Sequence, residues 1–262
     1  MSAPSHHHGH DVGEKLYVHQ HSFVHFMPAH LKILSFLAFV LVVVATPIQF
    51  WPAFVGYLGL VLATARLSKL PLGLLARRAV IEVPFVLFAV LMPLAGSGAS
   101  LQVGPLRLYE SGLVAGASIL AKGTLGVLMS VILSTSTTAR DLLRGLERLR
   151  LPAVMVQIAA FMLRYLNVVT DEMTRMKVAR EARGFTAKTI RDWRVIATAA
   201  GALFIRSYER GERVHLAMLS RGFTGTLPRL EEHASTSTQR LMAAALPSAA
   251  ALCSMTAILI WK

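Results

Sequence analysis

The sequence has 262 residues, of which 54% are hydrophobic, and its mean hydropathy is +0.55. A soluble domain of this length does not bury that much apolar surface in one core, so the lipid bilayer is the expected solvent. The excess of 27 Lys and Arg over 14 Asp and Glu is typical of basic residues kept on the cytoplasmic face of a membrane protein, and we expect no nucleic acid partner.

Residues 1–26 form a polar, His-rich tail. The tail has no basic stretch leading into an apolar one and no small-residue cleavage site, which argues against a cleaved signal peptide. Imidazole binds Co²⁺ and Ni²⁺ well, but no carboxylate or cysteine fixes a geometry here. The tail is therefore either a weak metal-capturing segment or passive. The candidate ligands are His6, His7, His8 and His10, followed by His19, His21 and His25 in the tail and by His30 just after it.

Five apolar runs have the composition of membrane-spanning helices, which predicts an all-α polytopic membrane protein. The runs are residues 31–46, 48–65, 79–95, 113–133 and 241–261. The loop after the second run carries Arg66, Lys69, Arg77 and Arg78, whereas the loop at 96–109 carries only Arg107. The positive-inside rule then places the N-terminus inside the cell and the C-terminus outside.

These runs divide the chain into a tail (1–26), four spans (27–133), a cytoplasmic insert (134–240) and a last span (241–262). The insert carries 18 Lys and Arg against 10 Asp and Glu, a net charge of +8, and belongs on the cytoplasmic side. Apolar residues recur at helical spacing between its charges, so we expect several amphipathic helices. The hydroxyl residues 134–138 offer N-caps to a first helix over 140–149. The stretch 154–169 is predicted to lie at the membrane surface or half-buried, because it is short and contains Arg164; a sixth span is the alternative.

Two charged residues fall inside predicted spans, where an unpaired charge is costly. Lys122 lies near the middle of the fourth span, and Glu82 lies early in the third. They are candidates for a mutual polar contact. Alternatively, Lys122 reaches toward a subunit interface, or it belongs to an ion pathway. The fourth span also carries a set of glycines that favours close helix packing: Gly112, Gly116, Gly123 and Gly126.

The insert repeats itself at a spacing of 38 residues: Arg175, Ala179 and Arg183-Gly184-Phe185-Thr186 recur as Arg213, Ala217 and Arg221-Gly222-Phe223-Thr224. Glycine after a helical run permits the left-handed conformation that ends a helix, and arginine there complements the helix dipole. Each pair is either only a good helix ending or one of two equivalent tips that present a guanidinium group to a partner.

The segments Ala182-Arg183-Gly184 and Ser220-Arg221-Gly222 resemble the paired Arg motifs of the transmembrane T component of energy-coupling factor transporters. The surrounding segments resemble the cobalt and nickel branch of that family, which is CbiQ-like. They are RYLNVVTDEMTRMKVAREARGF, FIRSYERGERVHLAMLSRGFTG, TTARDLLRGLERLRLP and HFMPAHLK, in which Pro28 and Lys32 form a Pro-x-x-x-Lys pattern.

The resemblance implies a non-enzymatic scaffold in the cell membrane. It would join two cytoplasmic ABC-type ATPases, docked at the two motifs, to a separate substrate-binding membrane subunit (S component). ATP and Mg²⁺ would be used by the ATPases, and Co²⁺ or Ni²⁺ would be the transported ion. The chain has no Gly-x-x-x-x-Gly-Lys-Ser/Thr loop, so we do not expect it to hydrolyse ATP itself. A T component that serves a vitamin-specific subunit, and a free-standing secondary transporter or membrane enzyme, are the alternatives.

Overall fold

The computed structural model describes residues 27–94, 100–103, 106–185, 192–225 and 236–260, most of them in α-helices. The predicted all-α class is confirmed, with one short antiparallel hairpin in which Ser100 pairs with Tyr109 and Val103 with Leu106. The elements are α1 (Ala29–Ala45), α2 (Trp51–Leu67), α3 (Leu72–Arg78), α4 (Val83–Leu91), β1 (Ser100–Val103), β2 (Leu106–Tyr109), α5 (Glu110–Ser136), α6 (Ala139–Arg148), α7 (Ala153–Ala182), α8 (Trp193–Leu219) and α9 (Ser237–Ile260).

The described residues divide into two compact units, and the division falls between Gly145 and Leu146, inside α6. The first unit, here called the bundle, contains α1 to α5, the start of α6, and α9. The second unit, here called the coupling unit, contains the end of α6, α7 and α8. The cytoplasmic insert was predicted to begin at residue 134, so its first residues, up to Gly145, belong to the bundle.

The core of the bundle is formed mainly by α1, α2, α5 and α9, and Leu75 of α3 is also buried in it. Phe39 and Tyr57 are fully buried there and meet edge to face, with their ring centroids 6.1 Å apart. The Tyr57 hydroxyl and the Thr46 hydroxyl are 2.8 Å apart and share a hydrogen bond. This bond satisfies both polar groups in an otherwise apolar core, which is why a tyrosine is tolerated at that depth.

Large apolar side chains cover the outside of the bundle. Leu41 on α1, Phe88 on α4 and Leu259 on α9 are 60%, 60% and 70% exposed. So many exposed large apolar side chains are unfavourable in water and are expected on a bundle surrounded by lipid.

Two lysines join α1 to α5 at opposite ends. Lys32, in the first turn of α1 and only 7% exposed, donates from Nζ to the Ser136 carbonyl at 2.9 Å and to the Thr137 hydroxyl at 3.2 Å. Lys122 on α5 donates from Nζ to the Val44 carbonyl, in the last turn of α1, at 2.8 Å. Each ammonium group therefore satisfies a carbonyl that the end of the other helix leaves without an intrahelical partner.

These contacts make α1 and α5 antiparallel, with the start of α1 beside the end of α5. The predicted topology requires this arrangement, because the N-terminus and the insert were assigned to the same side of the membrane. The contact of Lys122 with Val44 also gives that lysine a structural partner, in place of the predicted contact with Glu82.

The predicted third span, residues 79–95, is not one continuous α-helix. It is a 3₁₀ turn (Ala79–Glu82), then α4, then a second 3₁₀ turn (Met92–Leu94). Pro84 lies in the first turn of α4 and Pro93 lies in the second 3₁₀ turn. Proline lacks the N–H that continues a helical ladder, so it begins or interrupts an α-helix.

The stretch 154–169 is part of a longer helix than predicted. It belongs to α7, which has 30 residues and meets the length and composition of a membrane span, as α5 and α9 also do. The expectation that this stretch is short is wrong, because the helix continues beyond residue 169, through charged residues, to Ala182. Length alone therefore does not exclude α7 from the membrane.

Glycines bring α5 into backbone contact with α4 and the turn that follows it. A Cβ atom built on Gly112 would lie 2.3 Å from the Met92 carbonyl oxygen, and one on Gly116 would lie 2.5 Å from the Ala89 carbonyl oxygen. The predicted close packing is confirmed at these two positions. At Gly126, in contrast, a Cβ atom would meet no other atom within 4 Å.

We predict that Gly116→Ala destabilises the bundle, because the two helices must separate to admit the methyl group, at a typical cost of about 1 to 3 kcal/mol. Gly126→Ala is the matched control. Because alanine has a higher helix propensity than glycine, this variant should be as stable as the unmodified chain or slightly more stable. Thermal unfolding of the detergent-purified chain compares the two. Equal unfolding midpoints would show that the α4–α5 contact is not tight.

Candidate coupling site

The helix α7 ends in a Schellman motif. Gly184 has a φ of +77°, in the left-handed region that glycine adopts without strain. The Phe185 N–H donates to the Arg180 carbonyl at 3.1 Å, and the Gly184 N–H donates to the Glu181 carbonyl at 2.9 Å. These bonds satisfy carbonyls that the helix end would leave open. Arg183 is the C-cap residue, the last before the chain turns.

The helix α8 ends in the same way. Gly222 has a φ of +83°, the Phe223 N–H donates to the Met218 carbonyl at 3.0 Å, and the Gly222 N–H donates to the Leu219 carbonyl at 3.0 Å. Arg221 precedes the glycine, as in α7. The prediction that each Arg-Gly pair ends a helix is confirmed, and the 38-residue sequence repeat corresponds to a structural one.

We call the two segments the coupling tips. All six of their residues are exposed: Ala182, Arg183, Gly184, Ser220, Arg221 and Gly222. Within the described part of the chain, neither Arg183 nor Arg221 takes part in an ion pair. Both guanidinium groups therefore remain available to a partner, and a guanidinium group binds carboxylates or carbonyls through two parallel hydrogen bonds.

Two acidic residues near the tips are paired with other basic residues. Lys177 contacts Glu181 at 3.8 Å, and Arg213 contacts Glu209 at 3.9 Å, each one helical turn apart. Neither Glu181 nor Glu209 therefore pairs with a tip arginine in the structure.

The helices that carry the tips bury little. Val156 is the buried residue of α7, and α8 has none in the structure described. An amphipathic helix with an unburied apolar face is stable when another surface covers that face. The tips therefore stand at the ends of helices that present both charged and apolar surface for binding.

One ion pair joins α7 to α8, and sequence reasoning missed it. Arg206 on α8 contacts Glu172 on α7, whose side chain is 19% exposed, and Arg175 lies 3.8 Å from the same carboxylate. The sequence does show Glu172 as an acidic residue among basic ones, which suggests an ion pair. Its spacing from other residues does not indicate which residue of the next helix is the partner. Beside this pair is a cavity of about 140 Å³, with Tyr165, Val168 and Leu203 among its lining residues.

The predicted intramembrane pair is not formed. Glu82 accepts a hydrogen bond from the Thr124 hydroxyl, whereas Lys122 donates to the Val44 carbonyl. The two residues thus each contact a neighbouring helix, but through different partners. Depth inferred from hydropathy does not specify which atom a side chain reaches.

The candidate metal ligands His6, His7, His8 and His10 lie outside the described residues. Among the residues that the structure does describe, no group of three or more His, Cys, Asp or Glu side chains is arranged to hold a metal ion. Cys253, on α9, is a free and half-buried thiol, and it packs against Gly56 of α2.

Comparison with known proteins agrees with these features. The model of the CbiQ family, described as cobalt transport protein, matches residues 20–233. The cobalt transport protein CbiQ of Rhodobacter capsulatus is 28% identical over 204 residues, which cover 77% of this chain and 71% of that protein. The energy-coupling factor transporter transmembrane protein EcfT of Bacillus subtilis is 27% identical over 228 residues, covering 80% of this chain and 83% of that protein.

A third relative is an uncharacterized protein of Methanocaldococcus jannaschii, 28% identical over 126 residues; this alignment spans about half of each protein, 48% of this chain and 47% of the relative. The family match includes both coupling tips and the four apolar segments before them. Together with the apolar helices, it identifies a membrane component of a transporter: the chain belongs to the CbiQ cobalt transport protein family.

Proposed function

We propose that this chain is the transmembrane coupling subunit of an energy-coupling factor transporter for a divalent transition metal ion. It links two cytoplasmic ABC-type ATPases to a separate substrate-binding membrane subunit that takes up Co²⁺ or Ni²⁺. ATP and Mg²⁺ are bound by the ATPases, and the metal ion is the cargo. The chain itself carries no catalytic role.

The observation that carries this proposal is the pair of coupling tips. Two helices end in the same motif, each with an exposed arginine that is not held by the described residues. Two equivalent cationic tips suit two copies of one partner, as a pair of identical ATPases provides. The names of the relatives support the same assignment, because one is a cobalt transport protein and another a transmembrane protein of an energy-coupling factor transporter.

Both tips must lie in the cytoplasm for this role. The segment 140–150, before α7, carries four arginines, and the tip after α7 is also basic. The positive-inside rule keeps both ends of α7 on the cytoplasmic side, so α7 does not cross the membrane despite its length. The N-terminal tail is then cytoplasmic as well, and the C-terminus is outside.

Charge reversal at both tips tests whether they bind the ATPases. Replacing both arginines, Arg183→Glu and Arg221→Glu, should release the ATPases, because reversing a charge at a desolvated contact typically costs about 2 to 5 kcal/mol. Each single change should weaken coupling. The bundle should stay folded, since both residues are exposed. The measurement is ATPase recovery with the detergent-purified chain, together with its unfolding midpoint.

Arg194→Glu is the matched control, because Arg194 is an exposed arginine at the opposite end of α8. It should retain the ATPases. If the double tip variant also keeps its ATPases and supports uptake at the normal rate, the tips are only helix endings.

Reporter fusions test the topology. A reporter that is active only in the cytoplasm, fused after Lys262, should be inactive, and one inserted in the 186–191 segment between the tips should be active. An active C-terminal reporter would mean an even number of spans, with α7 as the additional one.

A further inference from the structure

The corner between α5 and α6 is held by a buried cation. The Lys32 ammonium bonds the last carbonyl of α5, that of Ser136, and the hydroxyl of Thr137, which lies in the extended link to α6. Ser136 and Thr137 are 2% and 4% exposed. An ammonium group enclosed in this way is stable only while its hydrogen bonds are made, so the corner and the start of α1 are held in one geometry.

The start of α6 is also fixed from within. The Asp141 N–H donates to the Thr138 hydroxyl at 3.1 Å, and that hydroxyl donates to the Asp141 carboxylate at 2.7 Å. Thr138 is thus the N-cap that the hydroxyl-rich segment was predicted to supply. The link between α5 and α6 therefore has little freedom to rotate.

A second contact joins α6 to α1. A Cβ atom on Gly145 would lie 2.9 Å from the His30 backbone nitrogen and 3.0 Å from the Ala29 carbonyl carbon. Only glycine allows this backbone approach, one turn after Asp141 and immediately before the division between the two units. The helix α6 therefore touches the first turn of α1 at the point where the chain enters the coupling unit.

From these contacts we infer that Lys32 and the Gly145 contact form a joint that passes movement of the coupling unit to α1. The inference rests on the proposed function, in which the ATPases move the coupling tips. A displacement that enters α6 reaches α1 at this corner, where Gly145 and Lys32 contact it. With Lys32 in place, the end of α5 and the start of α1 follow together; without it, this corner keeps only the Gly145 contact with α1, and α1 follows α6 less closely. Lys32 is a positioning residue for transport, separate from ATPase binding.

Lys122 provides a matched comparison. It makes the same kind of bond, an ammonium group on an orphan helix-end carbonyl, but at the opposite end of α1, away from α6. Loss of either lysine removes a cap and lowers stability. Of the two lysines, only Lys32 belongs to the joint with α6.

The test uses the assembled transporter in proteoliposomes, with Lys32→Met, Lys32→Arg and Lys122→Met. ATPase recovery, ATP hydrolysis and ATP-dependent Co²⁺ uptake are measured for each. We expect Lys32→Met to keep the ATPases and to hydrolyse ATP, while uptake falls by about tenfold or more. Lys32→Arg, which keeps the charge and the donors, should restore most of the uptake. Lys122→Met should stay within about twofold of the unmodified transporter.

Uptake at the normal rate in Lys32→Met would overturn the inference, and so would an equal loss in Lys122→Met. If Lys32→Met does not assemble, Gly145→Ala tests the same joint with Lys32 intact and should give ATP hydrolysis without uptake; normal uptake there would overturn it. The same measurements on the unmodified chain distinguish a failure of this inference from a failure of the proposed function. If no ATPases are recovered with the unmodified chain, it is the proposed function that is contradicted.

Discussion

A helix that ends in apolar surroundings leaves carbonyl groups without donors, and the bundle depends on how this constraint is met. Water satisfies helix ends in a soluble protein, but a bilayer offers none. Here α1 and α5 each supply a lysine to the last turn of the other, Lys32 to Ser136 and Lys122 to Val44. The two caps determine the antiparallel register of the pair around which α2 and α9 pack.

The coupling helices follow a different rule. α7 and α8 end in water-exposed Schellman motifs, whose carbonyls are satisfied by their own backbone. Their arginines are therefore not needed for capping by hydrogen bonds, and the helices bury almost nothing in the part described. A bundle with satisfied helix ends and a pair of charged helices that bury little are what the proposed coupling role requires.

Much of this organisation is readable from the sequence because it depends on local chemistry. Apolar runs predict the helices of the bundle, and an Arg-Gly pair after a helical run predicts each tip. The break in the third span is also local in origin, since Pro84 and Pro93 interrupt the ladder, but hydropathy alone does not register it. The length of α7 was missed because a charged second half conceals a continuous helix.

What the sequence did not supply is the identity of long-range partners. Lys122 and Glu82 both lie in apolar runs, and charge suggests that they meet, yet each binds a different atom. Lys32 was visible only as part of a Pro-x-x-x-Lys pattern, and Glu172 only as part of an acidic pair with Asp171 on an otherwise basic helix. Periodicity indicates which face of a helix is buried; it does not indicate which helix covers that face.

The most direct test of the central claim, that this chain transmits ATP-driven movement, is the distance between its two coupling helices in the assembled transporter. Ala179 and Ala217 are equivalent in the repeat and exposed, so spin labels on Ala179→Cys and Ala217→Cys report it once Cys253 is replaced by Ala. We expect pulsed electron paramagnetic resonance to give different distance distributions with ATP bound and without nucleotide, and no difference for the chain alone. Identical distributions in both states of a complex that transports its ion would contradict the claim.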